Sequence, residues 1–235
     1  LDNLVNAAPL LAKYHMPATL FLATRYIELT EPQWIDRLYN AFQFRSRNKC
    51  ALTCLDLSKP IQLRQAYRQF KKKLLAAGFE KRKSFLEQVE EQLKPFALPP
   101  RLTLNWDDVR LLKEEFPMFE IGVHTQTHVD LTSLNDKEAE CEIEQSRQDC
   151  KNEIGSEPRL FSYPYGRHDS KIRTCVKKGH FLGAVSTQPT YRINGSTDRW
   201  ALPRFAGPKS LLDLKMWLSG SFPELAISLW GKAYD

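Results

Sequence analysis

No stretch of 18 consecutive apolar residues occurs in this 235-residue chain, so the sequence offers no candidate membrane-spanning helix. Cysteine is scarce and unevenly placed. Five cysteines, an odd number without a regular framework, argue against a disulfide scaffold. Cys50 and Cys54 resemble half a zinc site, but no second pair lies nearby, and the bland reading wins. Signatures of RNA- or DNA-reading modules are missing as well. Neither sign of charge dominates: 34 basic against 28 acidic residues give a net +6, dispersed along the chain. That balance points toward acidic partners such as anionic glycans, phospholipid surfaces or nucleic acid, and the lack of any nucleic-acid motif weighs against the last. Hydrophobic residues make up 42%, ample for a core, and one domain carrying an insertion is the simplest count.

What is present is an alternation of β and α signals. Val5 to Tyr14 reads as a helix with Pro9 near its start, and Ala18 to Ala23 as a strand buried on both faces. From Trp34 to about Leu98 the pattern changes. Charges crowd in, including Lys71-Lys72-Lys73 and Lys81-Arg82-Lys83, while Leu75, Phe79, Phe85 and Val89 fall at helical spacing. This predicts a helical insertion over about 36–100, closed by Pro95, Pro99 and Pro100, its basic runs forming a solvated face. Asn135 and Glu138 form an N-x-x-E cap for a further helix, and Gly155 supplies its stop. A helix at Lys171 to Lys178 then leads to a strand at Gly183 to Ser186.

Chemistry concentrates at two strand ends. In Phe119-Glu120-Ile121-Gly122-Val123-His124-Thr125-Gln126-Thr127-His128, two histidines four apart follow a β-branched run. Such a pair can close on one metal ion if the chain turns after the strand, or share one face of a helix, or simply be two polar loop residues. The Thr/Ser/Asn-rich segment at Thr132 to Asn135 favours strand-then-loop. In Phe161-Ser162-Tyr163-Pro164-Tyr165-Gly166-Arg167, proline and glycine force a sharp turn where a strand ends; Tyr163 and Tyr165 can then line a groove suited to sugars, although this segment taken alone reads more readily as an ordinary Pro-Gly turn with core aromatics. A right-handed β-α-β unit puts both strand ends on one rim, where His124, His128 and Tyr165 can meet.

These segments resemble the polysaccharide deacetylases, the NodB-homology group of carbohydrate esterase family 4. His124 to His128 looks like that family's H-[ST]-x-x-H motif, and Phe161 to Gly166 like its YP[YF]G motif. Pro17 to Thr24 is similar to its second strand, and Trp106-Asp107-Asp108-Val109 to a W-D-x-V segment that precedes the histidine strand. Gly183 to Thr187 and Leu202-Pro203-Arg204 are similar to late segments of exopolysaccharide-associated members. The resemblance covers most of the chain outside roughly 36–100. It implies an α/β fold, an incomplete (β/α) barrel with a helical insertion, spanning 1–235. It further implies a divalent metal, zinc by expectation, on His124 and His128. Tyr163, Pro164, Tyr165, Gly166 and Arg204 would supply the substrate groove and oxyanion contacts, including a backbone N–H after the aromatic motif. The implied substrate is an N-acetylated glycan, and a cytoplasmic or cell-envelope location stays open.

One element of the family pattern is missing. No TFDDG, whose aspartates serve as base and metal ligand, occurs in the chain. Asp2 would align beyond it and inherits neither role; Asp2 and Asp130 are only the next suspects for a base. Either the chain starts one strand late or it has lost its base, and the opening leucine favours the former. The family's late L-x-H segment is also unrecognisable, since the last histidine is His180, read with His15 and His168 as a turn residue; Asp198 near Trp200 could line the pocket. Three functions stay open: a metal-dependent hydrolase deacetylating N-acetylated sugars, expected to be weak as written; a glycan-binding pseudoenzyme; and an α/β domain whose histidines only satisfy loop hydrogen bonds.

Overall fold

Four short apolar runs become parallel strands: β1 (Ala18–Leu22), β2 (Phe119–Val123), β3 (Leu160–Ser162) and β4 (Gly183–Val185). They lie side by side in chain order, with Ala18 opposite Phe119, Val123 opposite Phe161 and Leu160 opposite Gly183. A further parallel bridge joins Val185 to Leu202. Parallel neighbours require crossovers, and helices supply them, which gives the incomplete (β/α) barrel. The computed structural model describes residues 1–29, 32–97, 102–188, 193–205, 207–208 and 210–219. Among these, no helix is long and apolar enough to cross a membrane.

The helices start and stop where local chemistry tells them to. A π-helical turn at Asn3–Ala7 runs directly into α1 (Ala8–Lys13), with Ala7 already in helical conformation and Pro9 at the start of the α-helical segment. Next come α2 (Thr24–Leu29), α3 (Trp34–Gln43), α4 (Pro60–Leu75), α5 (Phe79–Leu93) and α6 (Trp106–Glu115). The crossover from β2 to β3 is α7 (Asp136–Ile154). Its Asn135 side chain accepts from the Glu138 amide at 3.0 Å, while the Glu138 carboxylate accepts from the Asn135 amide at 3.1 Å. Gly155 ends it at φ 66°, a left-handed value that costs glycine nothing. Ala139, Ile143, Ser146 and Cys150 form its buried face. Last are α8 (Ser170–Lys178) and α9 (Leu211–Leu218).

Two cores result. One lies around the sheet, from Ala8 through Val123 and Phe161 to Ala184. The other fills α3, α4 and α5 with Leu38, Phe42, Phe70, Leu74, Leu86 and Val89, and draws in Ala23 and Tyr26 from beside β1. Arg37 of α3 grips Glu90 of α5 with two bonds, at 2.9 and 2.7 Å. Among the described residues, no strand from this helical segment enters the sheet; Arg45 and Pro95 pair as an isolated bridge.

Gly122 lies where the neighbouring strands leave no room for a side chain. A Cβ there would stand 2.6 Å from the Phe21 ring and 2.9 Å from the Leu160 carbonyl. The carbonyl is backbone and cannot swing away. Gly122→Ala should therefore destabilise the chain by about 1–3 kcal/mol, the usual cost of overpacking. A urea midpoint equal to that of the parent chain would show that β1 and β3 yield freely.

Candidate functional site

The loop after β2 is shaped by opposed demands. His124 extends the ladder by one bond, its amide donating to Leu22 O at 2.8 Å. The backbone then turns through Thr125 at φ 65° and His128 at φ 53°. Non-glycine residues at positive φ cost on the order of 1–3 kcal/mol each, so surrounding bonds must hold them. They do. The Glu142 carboxylate on α7 accepts from the Gln126 amide (3.0 Å), the Thr127 amide (2.9 Å) and the Thr127 hydroxyl (2.7 Å). Thr24 and Arg25 donate backbone bonds to Thr125 O and Gln126 O, and the Thr125 hydroxyl accepts from the His128 amide. No helix spans the two histidines.

This turn brings the imidazoles together. Their ring centroids lie 4.6 Å apart, edge to face, and the His128 ring is 4.8 Å from that of Tyr165. His124 Nδ1 is 2.6 Å from the Ser162 carbonyl. A carbonyl only accepts, so Nδ1 carries the proton and Nε2 keeps its lone pair. Burial pulls the His124 pKa down to about 3, helped by nearby His128 and Arg204 and opposed by the Ser162 bond. Burial, then the charge of Arg82, pulls His128 down to about 4. Both rings are neutral at pH 7, the form that binds metal ions.

The other expected residues divide. Tyr165, at φ 57°, stands against His128, and its hydroxyl is 3.2 Å from His128 Nδ1. Arg204 donates to the Ser162 hydroxyl at 3.2 Å and lies 6.0 Å from the centre of the Phe21 ring. Pro164 and Gly166 are buried in the turn, and a Cβ on Gly166 would come within 2.6 Å of the Thr187 amide. Tyr163 corrects the expectation of a groove residue. It has no exposed surface, packs on Phe161, and donates its hydroxyl proton to Trp200 O at 2.8 Å. The amides of Gly166 and Arg167 are also spoken for, donating to Tyr163 O and Pro164 O within the turn, so neither is an oxyanion donor. Asp130 is committed to Arg167 (2.9 Å) and to Thr132, Asp198 to Arg173 (2.8 Å), and Asp2 to Asn6. His15 and His180 occupy turns at positive φ, and His168 stacks on Tyr163.

Three residues escaped the sequence reading. Glu142 is the loop anchor described above. Trp34, at the start of α3, is buried with the Arg82 guanidinium over its ring. Arg82 of α5 is only 1% exposed and turns inward, which corrects the reading of Lys81-Arg82-Lys83 as a solvated run. It donates to Leu74 O (3.1 Å), Ala77 O (3.0 Å) and Thr127 O (3.5 Å), and lies over the Trp34 ring at 5.2 Å. Its position on the stripe continued by Phe85, Leu86 and Val89 was the available signal.

As a donor set, two buried neutral imidazoles with a free Nε2 on His124 fit a divalent ion such as zinc. Among the described residues, no group of three His, Cys, Asp or Glu side chains completes a closed site.

Comparison with known proteins places the chain. A family model described as polysaccharide deacetylase matches residues 2–182. No curated protein sequence matches. Among solved structures, the deacetylase PplD of Streptococcus pyogenes in complex with acetate is 12% identical with a TM-score of 0.57, covering 92% of this chain and 64% of its own. IcaB from Ammonifex degensii is 13% identical with a TM-score of 0.53, covering 92% and 68%. At such identities the likeness is one of fold. The chain spans less than two thirds of the length of the Streptococcus protein.

The buried histidines give the metal-free chain a pH signature. Unfolded, both titrate near 6.5; folded, they do so near 3 and 4. Between these limits the unfolded state binds more protons, so their contribution is complete above pH 6.5 and is lost as pH falls toward the folded values. Urea midpoints measured with chelator from pH 7.5 to 4.5 should fall on acidification. The fall should be shallower in a His124→Gln/His128→Gln double variant. Identical slopes in the two proteins would rule out the buried neutral pair.

Proposed function

The chain belongs to the polysaccharide deacetylase family, and on that premise we propose that it is a metal-dependent hydrolase acting on the acetamido C–N bond of N-acetylated sugars in a polysaccharide or glycoconjugate. The observation that carries this reading is the meeting of His124, His128 and Tyr165 at the ends of β2 and β3. His124 and His128 would hold the divalent ion through Nε2, with zinc the expected ion. When bound, such an ion polarises an acyl oxygen and lowers the pKa of coordinated water. The chain's own residues prepare the place. Burial keeps both rings neutral, and the Ser162 carbonyl fixes the orientation of His124. The Tyr165 ring offers an apolar wall beside His128, against which a sugar face can pack. Arg204 sets positive charge near His124, favourable to an oxyanion or a departing carboxylate. The base remains unassigned, because Asp2 and Asp130 are held elsewhere. We read residues 1–235 as the deacetylase-type domain and 36–100 as an insertion within it. The absence of a third ligand among the described residues favours one second reading, a glycan-binding module that keeps the groove without the chemistry.

The test is acetate release from chito-oligosaccharides with zinc added or chelated. Slow, zinc-dependent release is expected, since an unassigned base leaves on the order of 10²–10⁴ in rate unclaimed. His124→Ala and His128→Ala should each reduce it by on the order of 10²-fold or more, as loss of several kcal/mol of charge stabilisation requires. Glycan binding without any acetate release, in protein with a full complement of zinc, would favour the module instead.

A further inference from the structure

The helical segment carries a feature that the histidine site does not use. Between α3 and α4 lies a groove of about 290 Å³, lined chiefly by Tyr39, Phe42, Leu63, Arg64, Tyr67 and Arg68. None of these residues belongs to the histidine site. Phe42 is buried and Leu63 and Tyr67 are half-buried, while Tyr39 is 57% exposed. The Tyr67 ring is held edge to face on Phe42 at 5.4 Å, Phe42 on Phe70 at 5.5 Å, and Phe70 on Phe85 at 5.3 Å. A ring clamped in this way has little freedom left to lose when something packs against it.

The charge on this side of the molecule has one sign. Helix α4 holds five basic residues and no acidic one in its 16 residues. Lys73 turns aside, with its ammonium over the Phe85 ring at 3.8 Å. Arg64, Arg68, Lys71 and Lys72 are exposed and recur at i, i+4, i+7 and i+8, which aligns them on one face. Elsewhere, arginines on helices meet carboxylates: Arg110 meets Asp107 and Glu153, and Arg147 meets Glu144 and Glu157. Among the described residues, none of the four cations on the α4 face has a hydrogen bond or an ion pair. Like charges four apart on a helix repel, so this row costs stability that a mixed row would not. Asp36, the one acidic residue of α3, stands about one turn before Tyr39 and is not part of the lining.

Flat phenol rings beside unpaired guanidiniums match a sugar that bears an oxyanion. The rings take the apolar face of the sugar, and the planar guanidinium forks take carboxylate or phosphate oxygens in pairs. An apolar peptide segment would bring nothing to the two guanidiniums, and a neutral sugar would use only the rings. We propose that the groove between α3 and α4 is a second glycan-binding site, separate from the histidines, which takes an acidic saccharide unit of the polymer. Arg64 and Arg68 receive its oxyanion, Tyr39 and Tyr67 its ring, and Lys71 and Lys72 extend the cationic track along the strand. The choice of a glycan as occupant rests on the hydrolase reading given above; the pairing of rings with unpaired cations does not.

The test is calorimetric titration of the full chain, with zinc present, against two N-acetylated octasaccharides. One is a hyaluronan fragment, which alternates N-acetylglucosamine with glucuronate, and the other is neutral chito-octaose. The hyaluronan fragment should bind more tightly by about tenfold or more, since each charged contact is a strong one. Raising sodium chloride from about 0.1 to 1 M, which shortens the Debye length from about 10 to about 3 Å, should erase that difference. Arg64→Gln/Arg68→Gln should erase it too, and Tyr39→Ala, at an exposed position, should weaken hyaluronan binding without disturbing the core. Lys13→Gln/Lys177→Gln removes the same charge elsewhere on the surface and should change nothing. Binding should also persist in a His124→Ala/His128→Ala variant. Equal affinity for the two saccharides would overturn the proposal, as would unchanged hyaluronan binding in Arg64→Gln/Arg68→Gln or in Tyr39→Ala. So would an equal loss in Lys13→Gln/Lys177→Gln, or a loss in the histidine variant. Vesicles of phosphatidylglycerol that bind through Arg64 and Arg68 where hyaluronan does not would assign the face to a membrane and overturn it as well. Binding requires no turnover, so a chain that binds as expected and releases no acetate would count against the hydrolase reading alone.

Discussion

A single carboxylate bears the strain of the site. Glu142 accepts two amide bonds and one hydroxyl bond from Gln126 and Thr127, the residues between two left-handed positions. Bonds to an ionised acceptor contribute about 1.5–3 kcal/mol each, enough together to offset two unfavourable backbone conformations of about 1–3 kcal/mol. Without that anchor, only the bonds from Thr24 and Arg25 and the Thr125–His128 bond would hold the backbone out of the extended region after Val123, and along that extended direction His128 would be carried away from His124. The position of α7 is therefore part of the site's geometry, although none of its side chains touches an imidazole in the described contacts.

Around this anchor, both halves of the molecule contribute contacts to the histidine loop. The sheet provides Ser162, which orients His124, and the turn after β3 provides Tyr165. The helical segment provides Arg82, which donates to Thr127 O and carries Trp34 against its guanidinium. The left-handed backbone at Thr125, His128 and Tyr165 accounts for three of the six positive-φ non-glycine residues among those described. Strain gathered at one place in this way is the pattern of a site whose geometry is imposed by its surroundings.

Much of this layout could be read from local sequence. The Asn135–Glu138 cap, the Gly155 stop and the strand ending at Val123 depend on neighbours within a few residues, and they stand where the pattern put them. The motif pointed Tyr163 toward the groove, but Phe161, Ser162 and Tyr163 are buried in succession, as in a strand covered on both faces, and the ring belongs to the core. Arg82 sat between two lysines and looked solvated; helical phase, more than charge, decided its direction. Trp34 and Glu142 matter through partners remote in sequence, and no window on the chain shows such a pairing. The motif residues were visible because their spacing is short, and their supports were hidden because theirs is long.

The separation of the two cores bears on how the chain reaches its native state. Strand β1 must find β2 across the whole helical segment, since Ala18 pairs with Phe119. Closing a loop of that length carries an entropic penalty, and such non-local pairings slow folding. The second core, however, is built from a nearly contiguous stretch between Ala23 and Leu93, and Arg45 and Pro95 are brought side by side within it. Once those helices collapse, the chain that separates the two strands is effectively shortened to its flanking residues. The segment between the strands thus acts as a tether drawn tight in advance, which favours a sequence of events in which helices dock first and the sheet zips afterward.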